Sequence, residues 1–193
     1  MRFIVLDGPL GSGKATHSKL IRDRYLAKGE KVILRSHPTE DGKYGVKAKN
    51  ALLKTGPLNK IKGSIYYTID FIQSTQTFYG GVDTVIFSRY LMDLAYLPMP
   101  LAKIMYWIFT AFLPVSEYMF FLDLTPEESL KRMSGQEDQE EMFEILENLI
   151  KIRGKALELT KEWYVIDTSG TIEEVQNEIV KILDKLDSHA SNL

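Results

Sequence analysis

Residues 1–16, MRFIVLDGPLGSGKAT, decide how the rest of this chain is interpreted. Phe3–Leu6 is an apolar, partly β-branched run with the length of one buried strand, and Asp7 ends it. A glycine-rich turn follows and closes on Lys14, after which apolar and charged residues alternate at helical spacing. The order strand, glycine-rich turn, helix, with the pattern G-x-x-x-x-G-K, is typical of a phosphate-binding loop.

The chemistry of this turn suits a polyphosphate. Glycines let backbone N–H groups converge on an anion without Cβ atoms in the way. The helix start adds unpaired N–H groups and the positive end of its dipole, and Lys14 supplies a mobile positive charge. A chance glycine-rich turn is disfavoured, because motif and context agree. The residues expected to bind a nucleoside triphosphate are Gly8, Gly11, Ser12, Gly13, Lys14, Ala15 and Thr16.

Ala15 departs from the commonest form of this loop, in which Ser or Thr follows the lysine and ligates Mg²⁺. Thr16 comes one step later, so the loop is similar to the GKGT loop of adenylate kinases. In such a site Mg²⁺ can be held largely through waters and phosphate oxygens. We therefore predict no residue of this chain as a metal ligand.

Length and composition limit the possible classes. At 193 residues, 45% hydrophobic and 26% charged, the chain is expected to form one domain over residues 1–193. A net charge of −2 gives no overall basicity that would attract nucleic acid or a membrane. The absence of cysteine and of a signal peptide predicts a cytoplasmic protein. Ile104–Val115, the longest apolar run, is shorter than the ~20 residues of a spanning helix, which predicts a buried or interface helix.

Five apolar runs alternate with helical patterns, which predicts parallel pairing in an α/β sheet. The predicted strands are Phe3–Leu6, Lys31–Arg35, Thr84–Phe87, Tyr118–Leu122 and Trp163–Ile166. The predicted later helices include Val46–Leu53, Ile61–Tyr79, Pro126–Met133 and Ile172–Leu186, with Ser188–Leu193 frayed.

Two features follow strands at the carboxyl edge, where open α/β sheets place ligands. Arg89 comes just after the third strand, where its planar guanidinium suits a phosphate, although a surface salt bridge is the alternative. The loop Ser36–Gly45 follows the second strand. It is either a ligand-binding loop or a solvated connector.

With these segments in order, the chain resembles the thymidylate kinase family of P-loop nucleoside monophosphate kinases from Phe3 to Leu183. The motifs that carry the resemblance are GPLGSGKAT (8–16), SRYLMDLAY (88–96), FLDLTPEESLKR (121–132), FEILENLIKIRGKALEL (143–159) and VIDTSGTIEEVQNEI (165–179). The resemblance implies a three-layer αβα P-loop NTPase fold, with a five-stranded parallel sheet, helices on both faces and a short lid at about residues 133–141. It also implies a homodimer that uses ATP and Mg²⁺ to phosphorylate dTMP to dTDP.

The resemblance also implies roles for individual residues. Lys14 would contact the β- and γ-phosphates of ATP, and Arg89 the acceptor phosphate. Tyr67 would stack on thymine, Tyr96 would close the sugar side, and Thr168 lies in the loop that flanks adenine. The remaining candidates are Asp70 and Phe71 in the acceptor site and Arg132 as a catalytic arginine at the entry to the lid.

Several acceptor-site positions depart from the family pattern. Leu10 stands where an acidic residue meets the sugar, and Ser88 replaces the acid before Arg89. Phe71 replaces the arginine that contacts the thymine carbonyl, and Ser36 replaces a phosphate-binding arginine. Two alternatives therefore stay open: a P-loop kinase for a different acceptor, and a nucleotide-binding module that has lost turnover and works through a partner.

Overall fold

The structure is a computed structural model that describes residues 1–54, 57–133 and 139–190. Five parallel strands form one sheet in the order β2-β3-β1-β4-β5. The strands are β1 (Arg2–Asp7), β2 (Val32–Ser36), β3 (Thr84–Ser88), β4 (Met119–Asp123) and β5 (Tyr164–Asp167). The central strand β1 places Leu6 opposite Ser88 on one side and Phe120 on the other. The predicted five-stranded parallel sheet is therefore confirmed, with strand boundaries within one residue of those expected.

Seven α-helices and a short 3₁₀ turn lie in the described part of the chain. They are α1 (Lys14–Ala27), α2 (Lys43–Leu52), α3 (Pro57–Phe78), α4 (Met99–Phe112), α5 (Pro126–Met133), α6 (Gln139–Leu159), α7 (Ile172–Ala190) and the 3₁₀ turn Met92–Tyr96. The helix α2 begins three residues before the predicted start. The helix α7 continues beyond Leu186 and ends at Ala190. The prediction that the chain is frayed from Ser188 onward is therefore wrong for residues 188–190. Of the predicted lid, residues 134–138 lie outside the described residues.

The hydrophobic core lies on both faces of the sheet, because successive strand residues point to opposite sides. On one face, Phe3 and Val5 pack with buried residues of α3, α4 and α6. On the other, Ile4 and Leu6 pack with buried residues of α1 and α7. The strand β3 is buried over its whole length, as its apolar sequence predicts. The result is the expected three-layer αβα arrangement.

A partly buried ionic cluster joins α7 to the amino-terminal edge of the sheet. Arg2 donates from Nε to Asp187 at 2.7 Å and from Nη1 to Glu30 at 2.8 Å. The hydroxyls of Tyr25 and Tyr118 also donate to Asp187, each at 3.1 Å. Burial disfavours the charged carboxylate, but Arg2 and these hydroxyls hold the pKa of Asp187 below its usual range.

Only one side of helix α4 is buried against the rest of the protein. Ala102 is fully buried, whereas Trp107 and Phe112 are 72% and 84% exposed. Of the two expectations for Ile104–Val115, the fully buried helix is wrong, since only one side of the helix meets the core. The interface helix stays a prediction. None of the described helices is both long enough and apolar enough to cross a bilayer.

Candidate active site

The phosphate-binding loop joins β1 to α1 with the backbone geometry that its glycines permit. Gly13, which precedes α1, has φ of 81°. Gly8 has φ of 147°, and a Cβ there would overlap the carbonyl oxygen of Leu122 on the neighbouring strand. Glycine is therefore required at Gly8 both by conformation and by the close approach of β4.

Lys14 is folded back into this loop. Its Nζ donates to the carbonyl oxygens of Gly8 and Pro9 at 2.8 and 2.6 Å, and the residue is 7% exposed. These two carbonyl groups are neutral, so an anionic phosphate oxygen that enters the loop would offer the ammonium group a charge-assisted hydrogen bond stronger than either of them. The lysine is thus held beside the expected phosphate position.

Arg89 follows β3 in a left-handed conformation, with φ of 68°. Its backbone N–H donates to the carbonyl of Leu6 at 3.0 Å. The Asp7 carboxylate fixes the peptide groups that follow, because Oδ2 accepts from the N–H groups of Tyr90 and Met92. Oδ1 of the same carboxylate accepts from Gly8 N at 2.9 Å. Asp7 therefore ties the start of the phosphate-binding loop to the segment that carries Arg89.

Arg89 lines three adjoining cavities. The first, which we call the phosphate groove, has a volume of 550 Å³ and is also lined by Lys14, Thr16, Ser36, Lys49 and Ser88. The second, the aromatic cavity, has a volume of 390 Å³ and lies beneath α3 and the segment after β3. The third, of 120 Å³, lies between the loop and α6. Arg89 is thus the residue shared by the walls of all three.

The aromatic cavity takes its name from rings that surround Phe71. The Phe71 ring centroid lies 5.2 Å from that of Tyr90, 6.1 Å from Phe109 and 6.4 Å from Tyr67. Tyr96, which is 62% exposed, stands at the wall between this cavity and the smallest one. The structure therefore brings three predicted acceptor-site residues, Tyr67, Phe71 and Tyr96, to one cavity.

Unlike its neighbour Phe71, Asp70 does not line the aromatic cavity. Its buried carboxylate accepts from the backbone N–H of Thr39 at 2.8 Å and from its hydroxyl at 2.6 Å. Asp70 thereby anchors the loop after β2, whose residues His37 and Pro38 line the phosphate groove. This position in the groove wall favours a ligand-binding role for the loop over that of a solvated connector.

A fourth cavity of 360 Å³, the α1 cavity, lies on the opposite side of the phosphate-binding loop. Arg132 lines it and donates from Nη1 to Gly11 O at 3.0 Å and from Nη2 to Thr168 O at 3.1 Å. Glu128 is a third partner, 3.2 Å from Nε of Arg132. Arg132 therefore joins the phosphate-binding loop to the loop after β5, and it does not line the phosphate groove.

Two further residues, for which the sequence pattern predicts no role, also line these cavities. Lys49, on α2, lines the phosphate groove and pairs with Glu40 at 2.9 Å. His17, on α1, lines the α1 cavity, and its Nδ1 is 2.9 Å from Oε1 of Gln176. Nothing in the local sequence distinguishes either residue, since a lysine or histidine within a helix more often lies on a solvated face.

The surroundings of two titratable side chains at the carboxyl edge of the sheet shift their pKa values. Arg153 makes two hydrogen bonds to Asp123, at 2.8 and 2.7 Å, and this contact raises its pKa. His37 is 2% exposed, and its ring centroid lies 4.7 Å from that of Phe87. Burial lowers the pKa of His37 to about 4, so the ring is neutral at pH 7.

Comparison with known proteins agrees with this architecture. A sequence model described as thymidylate kinase matches residues 6–179. A probable thymidylate kinase of Methanococcus aeolicus is 31% identical over 200 residues, covering 95% of this chain and 97% of that protein. The thymidylate kinase of Schizosaccharomyces pombe is 24% identical over 199 residues, covering 97% and 94%. The structure of thymidylate kinase from Candida albicans, 17% identical, shares the fold with a TM-score of 0.72 over 97% of this chain and 93% of that one. The chain therefore belongs to the thymidylate kinase family, a family of nucleoside monophosphate kinases.

Proposed function

We propose that this chain, acting as a single P-loop kinase domain, transfers the γ-phosphate of ATP to thymidine monophosphate. The observation that carries the proposal is the position of Arg89, which lines both the phosphate groove beside Lys14 and the aromatic cavity. Phosphoryl transfer depends mainly on positioning and on neutralising charge around the transferred group. A cation at the junction of a phosphate site and a base-sized cavity meets both requirements.

On the donor side, ATP would place its phosphates in the loop and its base in the α1 cavity. The N–H groups of residues 11–16 and the Lys14 ammonium would bind the β- and γ-phosphates. Thr168 and Arg132 would border the adenine. Arg132 donates hydrogen bonds to the carbonyl oxygens of Gly11 and Thr168 beside the α1 cavity. We therefore assign it to the binding of ATP and not to contact with the transferred phosphoryl group.

On the acceptor side, Arg89 would bind the phosphate of thymidine monophosphate, with the base among the rings of the aromatic cavity. Tyr67 would contact the base and Tyr96 the sugar side. The guanidinium of Arg89 makes no hydrogen bond or ion pair with the described residues, so it can engage a ligand without breaking an internal contact. The attacking phosphate oxygen is already anionic, and no general base is needed.

Magnesium would enter with ATP rather than bind first to the protein. The described residues contain no cluster of three or more His, Asp or Glu side chains that could hold a metal ion. The carboxylate closest to the loop, Asp7, is engaged by three backbone N–H groups. Ala15 offers no hydroxyl to the ion. Mg²⁺ keeps several waters and accepts phosphate oxygens readily, and its chemistry here would be neutralisation of the phosphate charge.

A coupled assay of ADP release with dTMP as acceptor tests the proposal. We expect Arg89→Met to lower kcat/KM for dTMP by about 10³-fold or more, since arginines at the transferred group contribute roughly 10³–10⁵ in rate. The affinity for ATP, measured by calorimetry, should stay within about twofold. Arg22→Met, at an exposed position on α1, is the matched control. Absence of turnover with dTMP, or faster turnover of another nucleoside monophosphate, would contradict the proposal.

We further propose that the protein works as a cytoplasmic homodimer. The exposed apolar side of α4, with Ile104, Trp107 and Phe112, supports an interface between two copies. The cysteine-free composition suits a reducing compartment. Sedimentation velocity should show a dimer, and Trp107→Glu should shift it toward monomer. Trp107→Phe, which keeps an apolar side chain at the same position, is the control and should stay dimeric. A monomeric wild-type protein would rule the dimer out.

A further inference from the structure

We infer that Lys49 on α2 binds the acceptor phosphate, and that it does so by exchanging its ion pair with Glu40 for one with the phosphate. This inference rests on the proposed function, in which the phosphate groove lies between ATP and the acceptor. It adds a second acceptor-side cation to Arg89. It also makes Glu40 a positioning residue that competes with the acceptor for Lys49.

The position of Lys49 is set by the close packing of α2 on the loop after β2. A Cβ at Gly45, in the first turn of α2, would lie 2.2 Å from the backbone carbonyl oxygen of Thr39, so glycine permits this approach. Thr39 is itself fixed by its two hydrogen bonds to Asp70. Lys49 follows Gly45 by four residues and therefore lies on the same face of the helix, the face that meets the loop.

The ion pair between Lys49 and Glu40 is charged but weak. Nζ of Lys49 donates to Oε1 of Glu40 at 2.9 Å, and this contact holds the pKa of Glu40 below its usual range. The two side chains are 54% and 82% exposed, respectively. An ion pair this exposed contributes little to stability, because water screens it and two long side chains lose freedom. Lys49 can therefore leave Glu40 for a ligand at small cost.

Both members of the pair belong to the wall of the phosphate groove. Among the described residues of this wall, the others that are charged at pH 7 are Lys14, which is bonded within the phosphate-binding loop, and Arg89. Lys49 does not line the α1 cavity, where the donor base is placed. A phosphate monoester carries about −1.5 to −2 charges at pH 7, so it is a stronger partner for the ammonium group than the single charge of Glu40.

Kinetics of Lys49 variants test the phosphate contact. Lys49→Met should raise KM for dTMP by about 10–100-fold, the range of a charge-assisted hydrogen bond. It should leave kcat within about threefold, because the contact is present before and during the transfer. Lys49→Arg, which keeps the charge, should restore KM. Lys47→Met is the matched control on the same helix, since Lys47 lies 5.4 Å from the ring centroid of Tyr66 and does not line the groove. An unchanged KM in Lys49→Met would overturn the inference.

A double-mutant cycle tests the exchange of partners. Glu40→Gln removes the competing carboxylate and should lower KM for dTMP by about 2–5-fold, the range of an exposed ion pair. In the Lys49→Met background the same substitution should change KM by less than about 1.5-fold, because its effect passes through Lys49. An equal decrease of KM in both backgrounds would show that Glu40 acts through its charge alone, and this would overturn the exchange.

Adenosine 5′-tetraphosphate separates this inference from the proposed function. It carries one phosphate more than ATP into the groove and needs no acceptor base. By calorimetry, Lys49→Met should weaken its binding by about tenfold or more and should leave ATP binding within about twofold. If dTMP is not phosphorylated, the proposed function fails, while this comparison still decides the role of Lys49. Equal losses for the two nucleotides would assign Lys49 to the donor phosphates and would overturn the inference.

Discussion

The Asp7 carboxylate accepts a hydrogen bond from the backbone N–H of Tyr90 at 2.8 Å, across 83 residues of sequence. With the further bonds from Met92 and Gly8, this contact holds Arg89 at φ of 68° between the phosphate groove and the aromatic cavity. Asp7 is therefore a positioning residue, since it sets the place of an arginine without lining the phosphate groove itself.

Replacement of Asp7 should impair catalysis more than it impairs folding. In Asp7→Asn an NH₂ group replaces one carboxylate oxygen. This donor would face backbone N–H groups that need an acceptor, so the segment that carries Arg89 should shift. A displacement of about 1 Å in a group that positions the reacting atoms lowers the rate by about 100-fold. We therefore expect kcat/KM for dTMP to fall by about 100-fold. The ADP-coupled assay measures it, with Asp23→Asn on the exposed side of α1 as the control. Unchanged kinetics in a folded variant would refute the positioning role.

The partly buried ionic cluster at the opposite edge of the sheet should contribute more to stability than the exposed ion pair between α7 and Arg24. Asp187→Ala leaves Arg2 partly buried without its main partner, and we expect the free energy of unfolding to fall by about 2–4 kcal/mol. Asp184→Ala removes the more exposed pair with Arg24 and should cost less than about 1 kcal/mol. Urea denaturation of both variants measures these values. Equal losses of unfolding free energy in the two variants would show that the cluster contributes no more to stability than the exposed ion pair.

Acidification should destabilise the protein through His37. The unfolded histidine has a pKa near 6.5, whereas burial lowers the folded value to about 4. Between these values the unfolded state binds more protons, so stability is complete above pH 6.5 and falls as the pH decreases toward 4. The loss from this group is roughly 2 kcal/mol at pH 5 and reaches roughly 3 kcal/mol below pH 4.

Denaturation at pH 7.5 and pH 5 measures this effect. The pH dependence should be smaller in His37→Gln, because the substituted side chain does not titrate. His189→Gln, at an exposed position in the last turn of α7, should keep the wild-type dependence. If His37→Gln and the wild type lose the same stability on acidification, other groups are responsible.

Alanine at two glycines should have opposite effects. Gly8→Ala combines a strained φ with overlap on the Leu122 carbonyl, so stability should fall by at least about 2 kcal/mol and ATP affinity should be lost. Gly154→Ala, within α6, places its Cβ in open space and should raise stability by about 0.5–1 kcal/mol. Thermal unfolding and ATP calorimetry measure both changes. Normal ATP binding by Gly8→Ala would contradict the geometry of the loop.

The sheet and the phosphate-binding loop could be predicted because their signals are local. A buried strand such as Thr84–Ser88 is a continuous apolar run, and the loop is defined by the spacing of its glycines and Lys14. The position of Arg89 at the carboxyl edge of the sheet follows from the same logic, since parallel strands end together.

The rest of the site depends on contacts between residues far apart in sequence. Asp70 has the same local pattern whether it faces a ligand or, as here, the backbone of Thr39 at a separation of 31 residues. The exposure of Trp107 likewise depends on what packs against α4, and its apolar sequence is equally compatible with a buried helix. These outcomes require the tertiary arrangement, which no single window of sequence contains.

The bond between Arg2 and Asp187 also bears on how the protein is made. During synthesis β1 emerges from the ribosome before the other strands and helices described here, and α7 emerges after them. Until α7 docks, the part of the core around Ile4 and Leu6 lacks the α7 residues that complete it, although α1 can already pack there. Nascent chains stalled before α7 should therefore leave part of this surface exposed to chaperones and proteases until α7 has been synthesised.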